Sequence, residues 1–298
     1  MKLAVTGATG MLGTAVLNEA AKRGYETIGL YHRTPASGVT SRTLEIRSLS
    51  SVRDVLRSLS PSFIVHAAAD VRVDWCEDHP EEAALTNIEG SANVARVAAE
   101  IGARLLYVST DSVFDGIRGD YRETDIASPL NVYARTKLHG EVAVQRELPT
   151  AVVARANFYG WGGEHKVGLL SWILKELSHG RSLLGFTDAI FCAAPAHEVA
   201  AALIKLLVGE SSGIFHVVGP EKISKYDFAC RVASQFGYDP NLVTPAKLGD
   251  ANLRAPRPLN TSLNTDKLQS VLGLKLPGVS EALERLAREV RIRGTSEL

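Results

Sequence analysis

A glycine-spaced turn at the start of the chain limits what it can fold into more than any other stretch. Lys2 to Gly13 reads KLAVTGATGMLG. A short apolar run, Leu3, Ala4 and Val5, ends in Thr6, and Gly7, Gly10 and Gly13 follow at regular spacing. Ala15, Val16, Leu17, Ala20 and Ala21 then recur at helical spacing. The order implied is buried strand, glycine turn, helix start. Side chains at those glycines would hold the backbone off a pyrophosphate and the helix off the strand. The free N–H groups and positive dipole end of the helix then face the phosphates. The spacing is GxxGxxG rather than the commoner GxGxxG, so the turn takes its meaning from the βα repeat downstream.

The chain has 298 residues, room for two modest domains or one large α/β domain with an appendage, and a sizeable core. Its 33 basic and 33 acidic residues cancel, so neither nucleic acid nor a membrane surface is expected as a partner. Cys76, Cys192 and Cys230 are far apart and form no CxxC pair, which argues against a disulfide framework or a metal site. No apolar run is long enough to span a bilayer. The first strand begins almost at Met1 with no targeting segment ahead of it, so a cytoplasmic setting is expected.

Further strands are expected at Thr27–Tyr31, Phe63–Ala69, Arg104–Ser109 and Ala151–Ala154. Helices are expected around Ser51–Leu59, Glu81–Ile101 and Leu130–Gln145. Strands alternating with helices imply a Rossmann-type, doubly wound parallel sheet over residues 1–160. From about Gly160 the pattern loosens. Helices at Val167–Leu177, Pro195–Leu207, Tyr226–Phe236 and Ser280–Ile292, a strand at Ile214–Val218 and a proline-rich stretch Pro240–Leu259 suggest a smaller α/β portion over 161–298, interleaved with the sheet domain.

Several positions bear on a bound dinucleotide or on chemistry beside it. Arg33 lies twenty residues past Gly13, where an acid would meet the ribose of NAD or an arginine the 2′-phosphate of NADP. No Asp or Glu lies between Gly29 and Val39, so the charges favour NADP over NAD, a solvated surface arginine being the other reading. Ala67, Ala68 and Ala69 at a strand's carboxyl end would let a flat cofactor approach the backbone. Asn87, polar in a mostly apolar helix, could cap, face solvent or hold an ordered water. Tyr133 and Lys137 are spaced i, i+4, which puts phenol and ammonium on one helix face. A tyrosine near a cation, with Thr110 at the end of the neighbouring strand, could exchange a proton with a carbonyl or hydroxyl.

TGATGMLG (6–13), HAAADVRVDWCE (66–77), STDSVFDG (109–116), PLNVYARTKLHGE (129–141) and APRPLNTSLNTDKLQ (255–269) together resemble the extended short-chain dehydrogenases/reductases, and within them the dTDP-4-dehydrorhamnose reductase group. The resemblance runs nearly the whole chain. It implies a dinucleotide-binding sheet domain, a C-terminal part that holds a nucleotide sugar, and a place in dTDP-rhamnose biosynthesis. Thr110, Tyr133 and Lys137 would be the catalytic set, supported by Asn87. Gly7, Thr9, Gly10, Met11, Leu12 and Gly13 would line the phosphates, Arg33 and Glu45 the adenosine end, and Ala67, Ala68 and Ala69, with Tyr133 and Lys137, the nicotinamide side. Val71, Asp111, Asn157, Arg254 and Arg257 would meet the substrate, with Arg254 and Arg257 suited to a pyrophosphate. No metal is implied, and a homodimer is left open.

Within the superfamily, 4,6-dehydratases read Thr-Asp-Glu where this chain has Thr110-Asp111-Ser112, which favours carbonyl reduction over loss of water; Asp111 could equally be structural. Two segments depart from the reductase pattern. Phe186–Pro195 keeps only Asp188 and a displaced Pro195, and residues 155–163 (RANFYGWGG) differ in wording. Both flank the expected sugar pocket. The leading expectation is NADPH-dependent reduction of a 4-keto nucleotide sugar. The alternatives are a non-catalytic NADP-binding subunit like the methionine adenosyltransferase β subunit, and a nucleotide-sugar epimerase of the same fold.

Overall fold

The computed structural model describes residues 1–35, 38–161 and 168–293. Val167, Gly162 and Gly163, part of two segments discussed above, lie outside them. The chain opens with β1 (Lys2–Thr6), α1 (Met11–Lys22), β2 (Glu26–Tyr31), β3 (Thr40–Thr43), α2 (Leu49–Leu59) and β4 (Phe63–His66). Two short helices, α3 (Val73–Asp78) and α4 (Pro80–Ala84), lead through a π-turn at Leu85–Glu89 into α5 (Gly90–Glu100). Then come β5 (Arg104–Thr110), α6 (Val132–Glu147) and β6 (Val152–Ala156).

Past β6 the elements shorten: β7 (Phe158–Tyr159), α7 (Leu169–Ser178), β8 (Leu183–Phe186), β9 (Ile190–Phe191), β10 (Ala194–Pro195) and α8 (Ala196–Val208). They are followed by β11 (Gly213–Val217), β12 (Ile223–Ser224), α9 (Lys225–Phe236), β13 (Val243–Ala246), α10 (Asp266–Leu272) and α11 (Val279–Arg293).

Among the described residues, seven strands make one parallel sheet in the order β11-β6-β5-β4-β1-β2-β3. The chain steps outward from β1 through β2 to β3, then returns to the other side of β1 at β4. That reversal opens a crevice at the carboxyl ends of β1 and β4, the place where open α/β sheets take ligands. One face of the sheet packs α1 and α8, with Leu3, Val16, Leu106, Val199 and Leu203 in a shared core. The other face packs α2, α5 and α6 around Ile64, Val94, Tyr107 and Val144. Strands buried on both faces explain their near-continuous apolar runs.

A second core joins Tyr159, α7, β8, α9, β13 and α11. The sequence interval past residue 160 is therefore shared: α8, β11 and α10 pack with the sheet, and α7, β8, α9, β13 and α11 form the smaller module. Three expectations need adjusting. β3, reading TSRT, was not anticipated; it is an exposed edge strand without apolar alternation. The proline-rich stretch contains β13, where Pro245 is tolerated in a two-stranded pairing with β8. The strand expected to run to Ala69 ends at His66. No helix among the described residues is long and apolar enough to cross a membrane.

Candidate active site

The glycine turn closes the crevice from the β1 side. Gly7 has φ +69°, and a Cβ there would come within 2.8 Å of Ala68 N and 2.9 Å of Ala67 O. A Cβ on Gly13 would lie 2.2 Å from Gly7 O, so α1 seats against the turn only with glycine there. Gly10 caps α1 without a side-chain hydrogen bond. The first-turn N–H groups of Met11, Leu12 and Gly13 have no acceptor within the helix, because a helix has none for its first turn. This cradle of bare N–H groups beside glycines fits a dinucleotide pyrophosphate.

Across the crevice, β5 ends in Thr110 and α6 supplies Tyr133 and Lys137. The Tyr133 phenol and the Thr110 hydroxyl are neighbours at this edge. Burial raises the Tyr133 pKa above the ordinary tyrosine value; Asp111 and Cys76 push the same way, and Thr110 opposes them. The phenol is thus held neutral. Lys137 Nζ donates to Val108 O at 2.7 Å and lies 4.0 Å from the centre of the Tyr107 ring. Burial pulls its pKa down to about 7, with Glu141 opposing. Helical spacing puts the two side chains on one face, and Lys137 directs its ammonium to the β5 backbone at Val108 O.

Asp111, 3% exposed, underlies this pair. Its Oδ1 accepts from Thr110 Oγ1 (3.1 Å) and Ser112 Oγ (3.3 Å), and its Oδ2 accepts from Asn157 Nδ2 (2.8 Å) and Thr261 Oγ1 (2.7 Å). With both oxygens occupied, the carboxylate ties the end of β5 to β6 and to the late segment around Thr261.

A second buried network joins the glycine turn to α6. Asn87, in the π-turn, is fully buried; its Oδ1 accepts Asp70 N–H (2.8 Å) while Nδ2 donates to Asp70 O (3.1 Å) and Thr136 Oγ1 (3.0 Å). It neither caps nor faces solvent. Ser91 Oγ donates to Asn87 O at 2.8 Å, so its oxygen takes the His66 Nε2–H at 3.1 Å. His66 Nδ1 then accepts from Thr6 Oγ1 (2.6 Å), whose oxygen takes Ala68 N–H (3.2 Å). These bonds assign a neutral His66 and bind the ends of β1 and β4 to the catalytic helix. Sequence reading gave no role to His66, although it opens the 66–77 segment, and passed over Ser91, which belongs to no motif. It also missed the buried pair Arg155–Glu141 (2.8 Å), to which Ser109 Oγ donates at 2.5 Å.

At the adenosine end, Arg33 is exposed. Glu45 accepts from Arg47 Nε (3.0 Å) and Nη2 (2.9 Å) and lies 3.1 Å from His32 Nε2. The hydrogen bonds from Arg47 hold its pKa down to about 2. On the substrate side, Val71 is 48% exposed. Asp74 on α3 accepts Ala255 N–H and Arg257 Nη2, each at 3.0 Å, and Asp78 pairs with Arg254 at 2.5 Å. Asn131, the N-cap of α6, donates to Pro256 O at 2.9 Å. Residues 254–257 are thereby strapped over the start of the catalytic helix, and both arginines already hold carboxylates. Asp188 accepts Leu248 N–H at 2.9 Å, joining two parts of the smaller module. An open hollow of about 440 Å³ at the α8–α11 seam, lined partly by Glu198, Pro220, Lys275 and Arg285, contains none of these residues.

The model of the RmlD substrate binding domain family matches residues 1–292. The probable low-salt glycan biosynthesis reductase Agl14 of Haloferax volcanii is 31% identical over 287 residues, covering 95% of this chain and 96% of that protein. Methionine adenosyltransferase 2 subunit beta of Bos taurus is also 31% identical, over 308 residues, 99% of this chain and 90% of that one. The crystal structure of dTDP-4-dehydrorhamnose reductase from Bacillus anthracis in complex with NADP superposes with a TM-score of 0.88 at 26% identity, covering 97% of this chain and 99% of the other. The family match, the sheet order and these likenesses agree, and the chain belongs to the RmlD substrate binding domain family of extended short-chain dehydrogenases/reductases.

Proposed function

We propose that this protein reduces the 4-keto group of a nucleotide sugar, with NADPH as donor, in a cytoplasmic setting. The observation that carries the reading is the placing of Tyr133, on α6, beside Thr110, at the carboxyl end of β5, with burial raising the phenol's pKa above the ordinary tyrosine value. A neutral phenol is the form that gives a proton to a carbonyl oxygen. Thr110 orients it, and Asp111 holds Thr110 by accepting its hydroxyl. Because every donor around Asp111 already points at its carboxylate, that residue acts as a fixed acceptor, in keeping with reduction rather than removal of water. Bound NADPH supplies the hydride equivalent. Gly7, Thr9, Gly10, Met11, Leu12 and Gly13 would hold its pyrophosphate, Arg33 and Glu45 its adenosine end, and Ala67, Ala68, Ala69 and Lys137 its nicotinamide side. The solved relative with bound NADP supports this cofactor, and NAD is the second choice.

The test is NADPH oxidation against a panel of nucleotide 4-keto sugars, dTDP-4-dehydrorhamnose among them. Tyr133→Phe is expected to abolish turnover and leave NADPH affinity within about twofold, since one hydroxyl is removed from a site the glycine turn dominates. Retained turnover in that variant removes the mechanism. The likeness to a methionine adenosyltransferase β subunit supports a second reading, a non-catalytic NADP-binding subunit. Stoichiometric capture of an enzyme partner, with no NADPH oxidation on any keto-sugar, would favour it.

A further inference from the structure

β5 reads RLLYVST, and its alternation sends Leu106 and Val108 to the core shared with α1 and α8, and Leu105 and Tyr107 to the face covered by α5 and α6. Tyr107 is fully buried there. Glycine at 140 lets α6 come down on it, because a Cβ at that position would run into the Tyr107 hydroxyl and Asn87 O. The Tyr107 hydroxyl donates to Lys137 O at 3.4 Å. The centre of the same ring lies 4.0 Å from Lys137 Nζ, well inside the reach of about 6 Å over which an aromatic face attracts a cation. One tyrosine therefore meets this lysine at both ends, main chain and ammonium.

Lys137 is 3% exposed, and an ammonium has three protons to place. Val108 O takes one of them at 2.7 Å. Glu141, one turn further along α6, is held by Arg155 at 2.8 Å and by the Ser109 hydroxyl at 2.5 Å. The other titratable groups packed around the lysine are Tyr133, one turn back on α6, and His66 on β4, whose ring centre is 5.7 Å from that of Tyr107; both are neutral. A buried cation with one carbonyl partner tends to give up its proton. The π face of Tyr107 is a second attraction, and it acts on the charged form alone. At about 7, the Lys137 pKa sits where a fall of about one pH unit takes the charged fraction at neutral pH from about a half to about a tenth.

We propose that Tyr107 is a positioning residue for Lys137, its ring face seating the ammonium beside Val108 O and keeping it a cation for the nicotinamide side of the cofactor. This rests on the cofactor-side reading of Lys137 given above. Tyr107 has no exposed surface and acts only through the lysine.

The experiment is an NMR titration of the Lys137 ε-carbon signal in the full-length protein, the signal being assigned by its loss in Lys137→Met. It is repeated in Tyr107→Phe, in Tyr107→Leu, and with fluorinated phenylalanines incorporated in place of Tyr107, which keep the ring's shape and drain negative charge from its face. Tyr107→Phe should titrate close to the wild type. Tyr107→Leu should lower the lysine pKa by about one pH unit, the worth of one desolvated cation–π contact. The fluorinated rings should lower it stepwise with unchanged circular dichroism, which keeps the test decisive where leucine in the core unfolds the chain. NADP affinity, measured by calorimetry across the same pH range, should begin its fall with rising pH about one unit lower in the variants that lower the lysine. A lysine pKa indifferent to fluorination overturns the proposal and leaves the cofactor reading standing. A pKa lowered as far in Tyr107→Phe as in Tyr107→Leu also overturns it, since the hydroxyl would then be the working group. A lysine pKa that falls while the pH dependence of NADP affinity stays in place overturns the cofactor-side reading of Lys137 and the proposal with it.

Discussion

Lowering the pH from 7 to 5 is expected to weaken the fold by about 4 kcal/mol, through two histidines alone. His66 is fully buried, and burial, reinforced by Lys137, holds its pKa down to about 3. His216, also fully buried, is held down to about 3 by burial and by Arg155. In the unfolded chain each titrates near about 6.5. Below that pH the unfolded chain takes up two protons that the folded chain refuses. Stability is therefore full above about pH 6.5 and falls as pH falls, until it approaches the folded-state values. Each histidine contributes about 1.4 kcal/mol per pH unit once well below 6.5, and about 2 kcal/mol integrated from pH 7 to 5. Lys137, at about 7, is about half protonated at the top of this window and adds under about 0.5 kcal/mol. Glu45, held down to about 2, enters only as pH falls through the ordinary carboxylate range, below this window. His66 cannot be protonated cheaply: its Nδ1 would have to donate to Thr6 Oγ1, which already takes Ala68 N–H. The assay is urea unfolding followed by tryptophan fluorescence between pH 7.5 and 5, with proton uptake on unfolding measured in parallel. His216→Gln should reduce the pH-dependent loss by about half. A stability independent of pH over this range, or an undiminished slope in the variant, refutes the reasoning.

Asn87→Ala leaves Asp70 N–H, Asp70 O and Thr136 Oγ1 without their partner; we expect a loss of about 3 kcal/mol, read as a fall of about 5 °C in Tm by calorimetry. Gly7→Ala carries a left-handed penalty of about 1–2 kcal/mol. Its methyl also runs into the Ala67–Ala68 backbone, so fluorescence titration should show NADPH binding weakened by at least about tenfold in a chain that keeps its circular dichroism. Arg254→Ala removes an exposed pair with Asp78, and denaturant titration should register less than about 1 kcal/mol.

The parallel sheet was readable because its strands are apolar runs separated by helical periodicity, and Gly7, Gly10 and Gly13 marked where the first crossover turns. β3 escaped notice because an exposed edge strand reading TSRT carries no burial pattern. Thr110, Tyr133 and Lys137 could be picked out by spacing, but spacing cannot say that Lys137 would turn to Val108 O. Asn87 left three roles open in the sequence, and only the π-turn shows it bonded on every side. The buried Arg155–Glu141 pair and the His66–Ser91 link join residues distant in sequence, and no local pattern encodes them.

The place of β11 has a consequence for how the protein is made. A chain elongated only as far as residue 160 leaves β6 as an unpaired sheet margin, and the α1 stripe around Leu12 and Val16 uncovered, because β11 and α8 have not emerged. Open margins and bare apolar stripes invite association between nascent molecules. Synthesis of residue 213 and beyond is what quenches that hazard. Closure of the sheet and arrival of the smaller module therefore both wait on the later part of the chain, and a truncated chain that retains the glycine turn is an aggregation-prone fragment rather than a miniature binding domain.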